Sequence, residues 1–197
     1  MNWTQFLKLH WEVLAATDFF TVEVATWHGL VTYYILFVME RSTRRVQIAG
    51  ITPHPTAAFM QQRARQLTDP WDGFLLGKRS LIHDRETKYT HAFDALLKES
   101  GVEPILLPPR SSNLNAHCER FVRSIKEEAL DQMVMLGERS LSYAIQQYLA
   151  HYHHERNHQG LGHQRIAPEP EGSRQGGAVV RRDRLGGLLS YYYRDAA

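Results

Sequence analysis

Three acidic residues stand apart by what surrounds them. Asp18 lies inside the apolar run VLAATDFFTVEV, where a bare carboxylate is costly unless it is paired or bound to metal. Asp84 closes a second apolar run, SLIHD, and Glu119 falls at the start of a segment with helical periodicity. Two aspartates on strands and one glutamate on a helix form a donor set for a hard divalent cation, because Mg²⁺ and Mn²⁺ prefer oxygen ligands held on rigid elements. The set predicts a two-metal site, in which one ion activates an attacking water or hydroxyl and the other stabilises the leaving oxygen of a phosphodiester. Glu119, Arg123 and Lys126 follow each other at spacings of 4 and 3, which puts the carboxylate on one helix face with two cations. Cations beside such a site suit phosphate contact, and Arg85, Lys88 and Arg110 are further candidates for it.

The elements that must position these residues can be read from periodicity. Val13 to Val24 and Leu30 to Met39 are β-branched and aromatic runs around Gly29, read as a hairpin, and Val46 to Ile51 adds a third strand. Pro53 and Pro55 end that pattern, and Thr56 caps a helix from Ala57 to about Leu67 that turns Met60, Ala64 and Leu67 inward. Asp69 to Lys78 reads as a loop. Ser80 to Asp84, Ala92 to Glu99 and Glu103 to Leu107 read as strand, helix and strand, so this half is α/β. After Pro108 and Pro109 comes the polar loop Arg110 to Leu114, and Asn115 caps a helix predicted to reach about Met133. Its expected apolar stripe is Cys118, Val122, Ile125, Ala129 and Met133. A last helix, about Arg139 to Glu155, is expected to bury Leu141, Ile145, Tyr148 and Tyr152.

The 197 residues are 43% hydrophobic and 22% charged, ordinary for a globular protein and too apolar for a disordered one. The apolar run Leu30 to Met39 is too short to span a bilayer, no signal sequence is visible, and a cytoplasmic location is expected. A single cysteine, Cys118, excludes an internal disulfide and a thiolate-rich zinc site and reads as a small buried hydrophobe. With a net charge of only +2, local distribution rather than bulk charge must speak for a nucleic-acid partner. The cluster His151, His153, His154 and His158 reads as helix surface rather than a zinc site. Trp27, Trp71 and Tyr191 to Tyr193 read as packing residues. Beyond His158 the chain turns Gly-rich and basic, an arm whose segment LLSYYYR is predicted to add as a strand to a neighbouring surface.

Asp18 in TDFFTVE, Asp84 in HDRETKY and Glu119 in PPRSSNLNAHCERFVRSIKEE resemble the DDE core shared by retroviral integrases and insertion-sequence transposases. The resemblance runs from about Trp11 to His158 and extends to HYHHERNHQGLG, which is similar to the terminal segment of transposase cores. It implies a ribonuclease H-like fold: a five-stranded mixed sheet with helices on both faces over residues 1–158, followed by an arm over 159–197. It further implies DNA strand transfer dependent on two Mg²⁺ or Mn²⁺ ions held by Asp18, Asp84 and Glu119. Arg85, Lys88, Arg110, Asn115, Arg123 and Lys126 would contact DNA. The expected partners are the element's DNA ends and a target, with a homo-oligomer on DNA and no membrane. The upstream helix-turn-helix module that such transposases use to find their DNA ends is expected to be absent. A nuclease of the same fold, with water as its nucleophile, and a catalytically silent DNA-binding remnant are alternative readings of the same residues.

Overall fold

Alternating β-branched and aromatic residues give two long strands, β1 (Leu14–Thr26) and β2 (Gly29–Glu40). The turn between them needs Gly29, whose φ of 106° disfavours any side chain. Thr26 closes it, accepting from His28 N–H and donating to the Gly29 carbonyl. A third strand, β3 (Val46–Thr52), runs antiparallel to β2 with a register break at Leu36/Phe37. Two short strands, β4 (Ser80–His83) and β5 (Glu103–Leu106), are parallel to each other, and β4 is parallel to β1. The order β3-β2-β1-β4-β5 is the mixed five-stranded sheet predicted above. The computed structural model describes residues 10–108, 115–168 and 177–195.

Helix α1 (Ala57–Leu67) starts at Thr56, whose hydroxyl accepts from Phe59 N–H, and it buries the three predicted residues. Helix α2 (His91–Glu99) starts in the same way at Thr90. Both pack with Ala15, Leu36, Val38 and Leu81 of the sheet in one core cluster, where each large apolar side chain contributes roughly 1.5–3 kcal/mol. Gly50 permits the close seating of α1, since a Cβ there would meet the Phe59 ring at 2.6 Å. Phe37, between Leu36 and Val38, points to the opposite face. There it meets Phe20 and, at 4.9 Å between centroids, Phe121 of α3 (Ala116–Glu128). Helices therefore cover both faces.

Several expectations are corrected. Helix α3 ends at Glu128, not Met133, and a 3-10 turn over Leu130–Gln132 follows. Its buried stripe is Cys118, Phe121, Ile125 and Ala129, with the larger Phe121 taking the place expected of Val122. The last helix, α4 (Gly137–Ala150), buries Leu141, Ile145 and Tyr148 as predicted but gives way to a π-helical turn over His151–Glu155. Trp27 and Trp71 are 103% and 89% exposed, so neither packs. The LLSYYYR segment, as β7 (Leu189–Arg194), pairs antiparallel with β6 (Val179–Arg184) of its own chain. Tyr191 and Tyr193 do pack, their rings stacked 6.0 Å apart.

The chain forms two compact units, Met1–Glu23 with Val31–Phe121, and Val24–Leu30 with Val122–Ala197. Within the second, Ala25 N–H donates to the Met135 carbonyl. Its buried Glu155 accepts from Arg184 Nη2 at 2.7 Å, Arg184 Nε at 3.0 Å and Arg182 Nη1 at 3.3 Å, and pairs with His151 Nδ1 at 3.1 Å. These bonds tie the β6–β7 hairpin to the π-helical turn. The histidines of this segment have structural partners: His154 Nδ1 meets the Ala167 carbonyl and His158 Nε2 that of Tyr152. Among the described residues, no helix is long and apolar enough to cross a membrane.

Candidate active site

The parallel register of β1 and β4 decides where the two aspartates lie. The ladder pairs Leu14 with Ser80, Ala15 with Leu81 and Ala16 with Ile82, and carried on at that offset it sets Asp18 beside Asp84. Neighbouring strands run about 4.8 Å apart. Ala15 and Leu81 face α1 and α2, so the residues of opposite parity, Asp18 and Asp84, face the side that α3 covers. Glu119 sits in the first turn of α3. Strand pairing and helix packing thus bring the three sequence-predicted carboxylates to one side of the first unit.

Each aspartate has one oxygen held by the backbone. Asp18 Oδ1 accepts from Phe19 N–H at 2.8 Å, and Asp84 Oδ1 accepts from Glu86 N–H at 3.0 Å. Burial pushes the Asp18 carboxyl up to about 7; the Phe19 N–H opposes this, and the charges of Asp84, Glu86 and Glu119 add to it. Asp84 is raised too, chiefly by burial and by Glu86, while the Glu86 N–H, His83 and Lys88 pull the other way. Mutual repulsion of half-buried carboxylates is what a divalent cation relieves, and an all-oxygen donor set fits Mg²⁺ or Mn²⁺. Among the described residues, no three of His, Cys, Asp and Glu stand close enough to hold a metal ion as they are.

The predicted DNA-contact residues differ in placement. Arg85 is exposed, with its Nε donating to the Leu107 carbonyl at 2.9 Å. Lys88 pairs with Glu86 and lies over the rings of Phe19 and Tyr34, 5.3 and 5.4 Å from their centroids. Asn115 is buried just before α3, three residues from the buried Cys118 thiol. That thiol is itself pushed far up by burial and by the charge of Asp18. Arg123 is exposed and Lys126 half-buried. Arg110 lies outside the described residues.

Two residues of this region were not singled out by sequence. Glu86 caps Asp84, adds its charge to both aspartates and pairs with Lys88; the spacing Asp84-x-Glu86 was its only signal. His83 is 1% exposed next to Asp84, and nothing but its place at the end of an apolar strand marked it.

Residues 100–165 match the family model described as integrase core domain, a stretch that contains Glu119 but neither aspartate. The structure is similar to the crystal structure of the catalytic core domain of BIV integrase, with a TM-score of 0.54 and 19% identity over 79% of this chain and 91% of that one. No curated protein matches the chain. The sheet order and this likeness define a ribonuclease H-like fold, that of integrase catalytic cores. Together with the match over residues 100–165, they support a DDE integrase/transposase core.

Proposed function

We propose that the chain catalyses DNA strand transfer, with Asp18, Asp84 and Glu119 as ligands of two Mg²⁺ or Mn²⁺ ions. The observation that carries this reading is Asp18: a strand carboxyl pushed up to about 7 by burial, with Asp84, Glu86 and Glu119 adding like charge. When bound, divalent cations supply the charge that activates a hydroxyl or water and stabilises the leaving oxygen of a phosphodiester. The protein's part is to hold the donors on rigid elements, with Asp18 and Asp84 fixed by parallel strand register and Glu119 by helix α3. Exposed Arg85 and Arg123, with Lys126 and Arg110, contact the phosphate backbone. Asn115, just before α3, also contacts DNA. Lys88, paired with Glu86, balances charge beside Asp84.

The partners are the DNA ends and a target, with more than one copy of the chain assembled on them. The core of residues 1–158 carries the chemistry, and the arm of 159–197 is its appendage. The deciding experiment supplies a DNA end with a free 3′ hydroxyl, target DNA and Mn²⁺, and compares the parent with Asp84→Asn. Joined product from the parent, reduced in the variant by at least the factor of about 10²–10³ typical for losing one preorganised electrostatic group, is the expected result. Hydrolysis without joining would identify a nuclease, and Mn²⁺-independent DNA binding without either product a silent binding module.

A further inference from the structure

The polar cluster buried beneath Asp84 has no part in the chemistry above. His83 ends β4 with 1% of its surface exposed. Its ring lies 4.5 Å from that of Tyr89 and 6.2 Å from that of Phe93, surroundings in which an uncommitted imidazole costs free energy. Both ring nitrogens face oxygen. Nδ1 is 2.8 Å from the carbonyl of Asp84, and Nε2 is 3.1 Å from Oδ1 of Asp94 on α2. Neither Nε2 nor that Oδ1 has a hydrogen-bond partner. A carbonyl only accepts, so the hydrogen belongs on Nδ1.

The place of these contacts gives them meaning. Sheet bonding holds the chain as far as His83, whose carbonyl accepts from Leu107 N–H at 3.0 Å. The next carbonyl, that of Asp84, is held by the His83 ring instead. The Asp84 carboxylate is meanwhile capped by Glu86 N–H. An apolar residue of the same size would fill the space under β4, but it would not donate to the peptide that carries Asp84.

We infer that His83 is a positioning residue for Asp84: held between the rings of Tyr89 and Phe93, its imidazole fixes the Asp84 peptide and so the direction in which that carboxylate leaves the sheet. The inference rests on Asp84 belonging to the active site proposed above.

The test replaces His83 by Phe, which fills the core without ring nitrogens, and by Asn, whose amide N–H can still reach the Asp84 carbonyl. His83→Phe is expected to melt like the parent, to bind Mn²⁺ more weakly, and to lower kcat for strand transfer about 10- to 100-fold, the range typical of residues behind a metal ligand. KM for DNA should stay unchanged, and His83→Asn should restore part of kcat. If His83→Phe does not fold, His83→Met, also without ring nitrogens, is measured in the same way. A folded variant with parental Mn²⁺ affinity and kcat overturns the inference. Amide hydrogen exchange separates this failure from that of the functional reading. Faster exchange at Arg85 and Glu86 in the Phe variant upholds the positioning even if the parent joins no DNA, whereas unchanged exchange overturns it whatever the activity.

Discussion

Asp18 in the first unit and Glu155 in the second are acids taken out of water, and the protein treats them in opposite ways. Burial pushes Asp18 up to about 7, reinforced by Asp84, Glu86 and Glu119. Burial acts on Glu155 in the same direction, yet hydrogen bonds from Arg184, His151 and Arg182 overcome it and bring the carboxyl down to about 2. Burial alone does not set the charge state; the partners do. Where the chain supplies its own cations, the acid serves as an attachment point. Where it gathers further acids, their charges add to the effect of burial.

That contrast breaks most visibly at Glu155. Replacing it with Ala leaves Arg182, Arg184 and His151 facing an empty position, and a loss of about 3 kcal/mol is expected, the lower end for removing one member of a buried pair. Urea unfolding measures it, and rapid proteolysis within 179–194 shows which element is released. Asp18→Asn should do the reverse without metal, raising the melting temperature at neutral pH by several degrees, since 1 kcal/mol is worth roughly 2–4 °C at this size. A variant no more stable than the parent would mean that Asp18 is already satisfied.

The pH dependence sharpens the comparison. Asp18 titrates at about 7 in the folded chain against 3.8 in the unfolded one, so the native state holds the extra proton between those values. Its contribution therefore makes stability fall as pH rises from about 4 to about 7, after which it is constant. Glu155 titrates at about 2 folded against 4.5 unfolded, so its contribution is present above pH 4.5 and is lost as pH falls towards 2. Compared with the parent, melting curves of Asp18→Asn and Glu155→Ala across pH 2 to 8 should each lose only their own window. The smallest effect is expected at Arg123→Ala: weaker DNA binding with a salt dependence shallower by about one unit in the log–log slope.

The β1–β2 hairpin was legible because its strands are long, rich in β-branched and aromatic residues and separated by Gly29, and the first helix because Thr56 marks its start with a side chain that caps it. The end of α3 was not. No glycine or proline lies between Glu128 and Met133, so nothing in the residue pattern distinguishes a stop at one from a stop at the other. Phe121 and Val122 are both apolar neighbours, and only the position of Phe37 on the facing sheet selects the ring of Phe121. The β6 strand was hidden because VVRRDR reads as a charge run, and its arginines become intelligible only once Glu155 is seen to receive two of them. The three carboxylates were identifiable by type and surroundings, whereas Glu86 and His83 act through a backbone turn and a tertiary contact that one-dimensional spacing does not express.

Asp18 and Asp84 are separated by the same 66 positions as the paired residues Leu14 and Ser80. Tolerance to insertion and deletion should therefore be unequal along the chain. Extra residues in the turn at 41–45 or the loop at 69–78 change that spacing and leave the alignment intact, because backbone pairing upstream of both aspartates sets it. One residue added between Leu14 and Asp18, or between Ser80 and Asp84, would send an aspartate through the sheet to the side of Met60 and Phe93. A library of single-residue insertions would thus map the register of the two aspartates as two narrow intolerant windows.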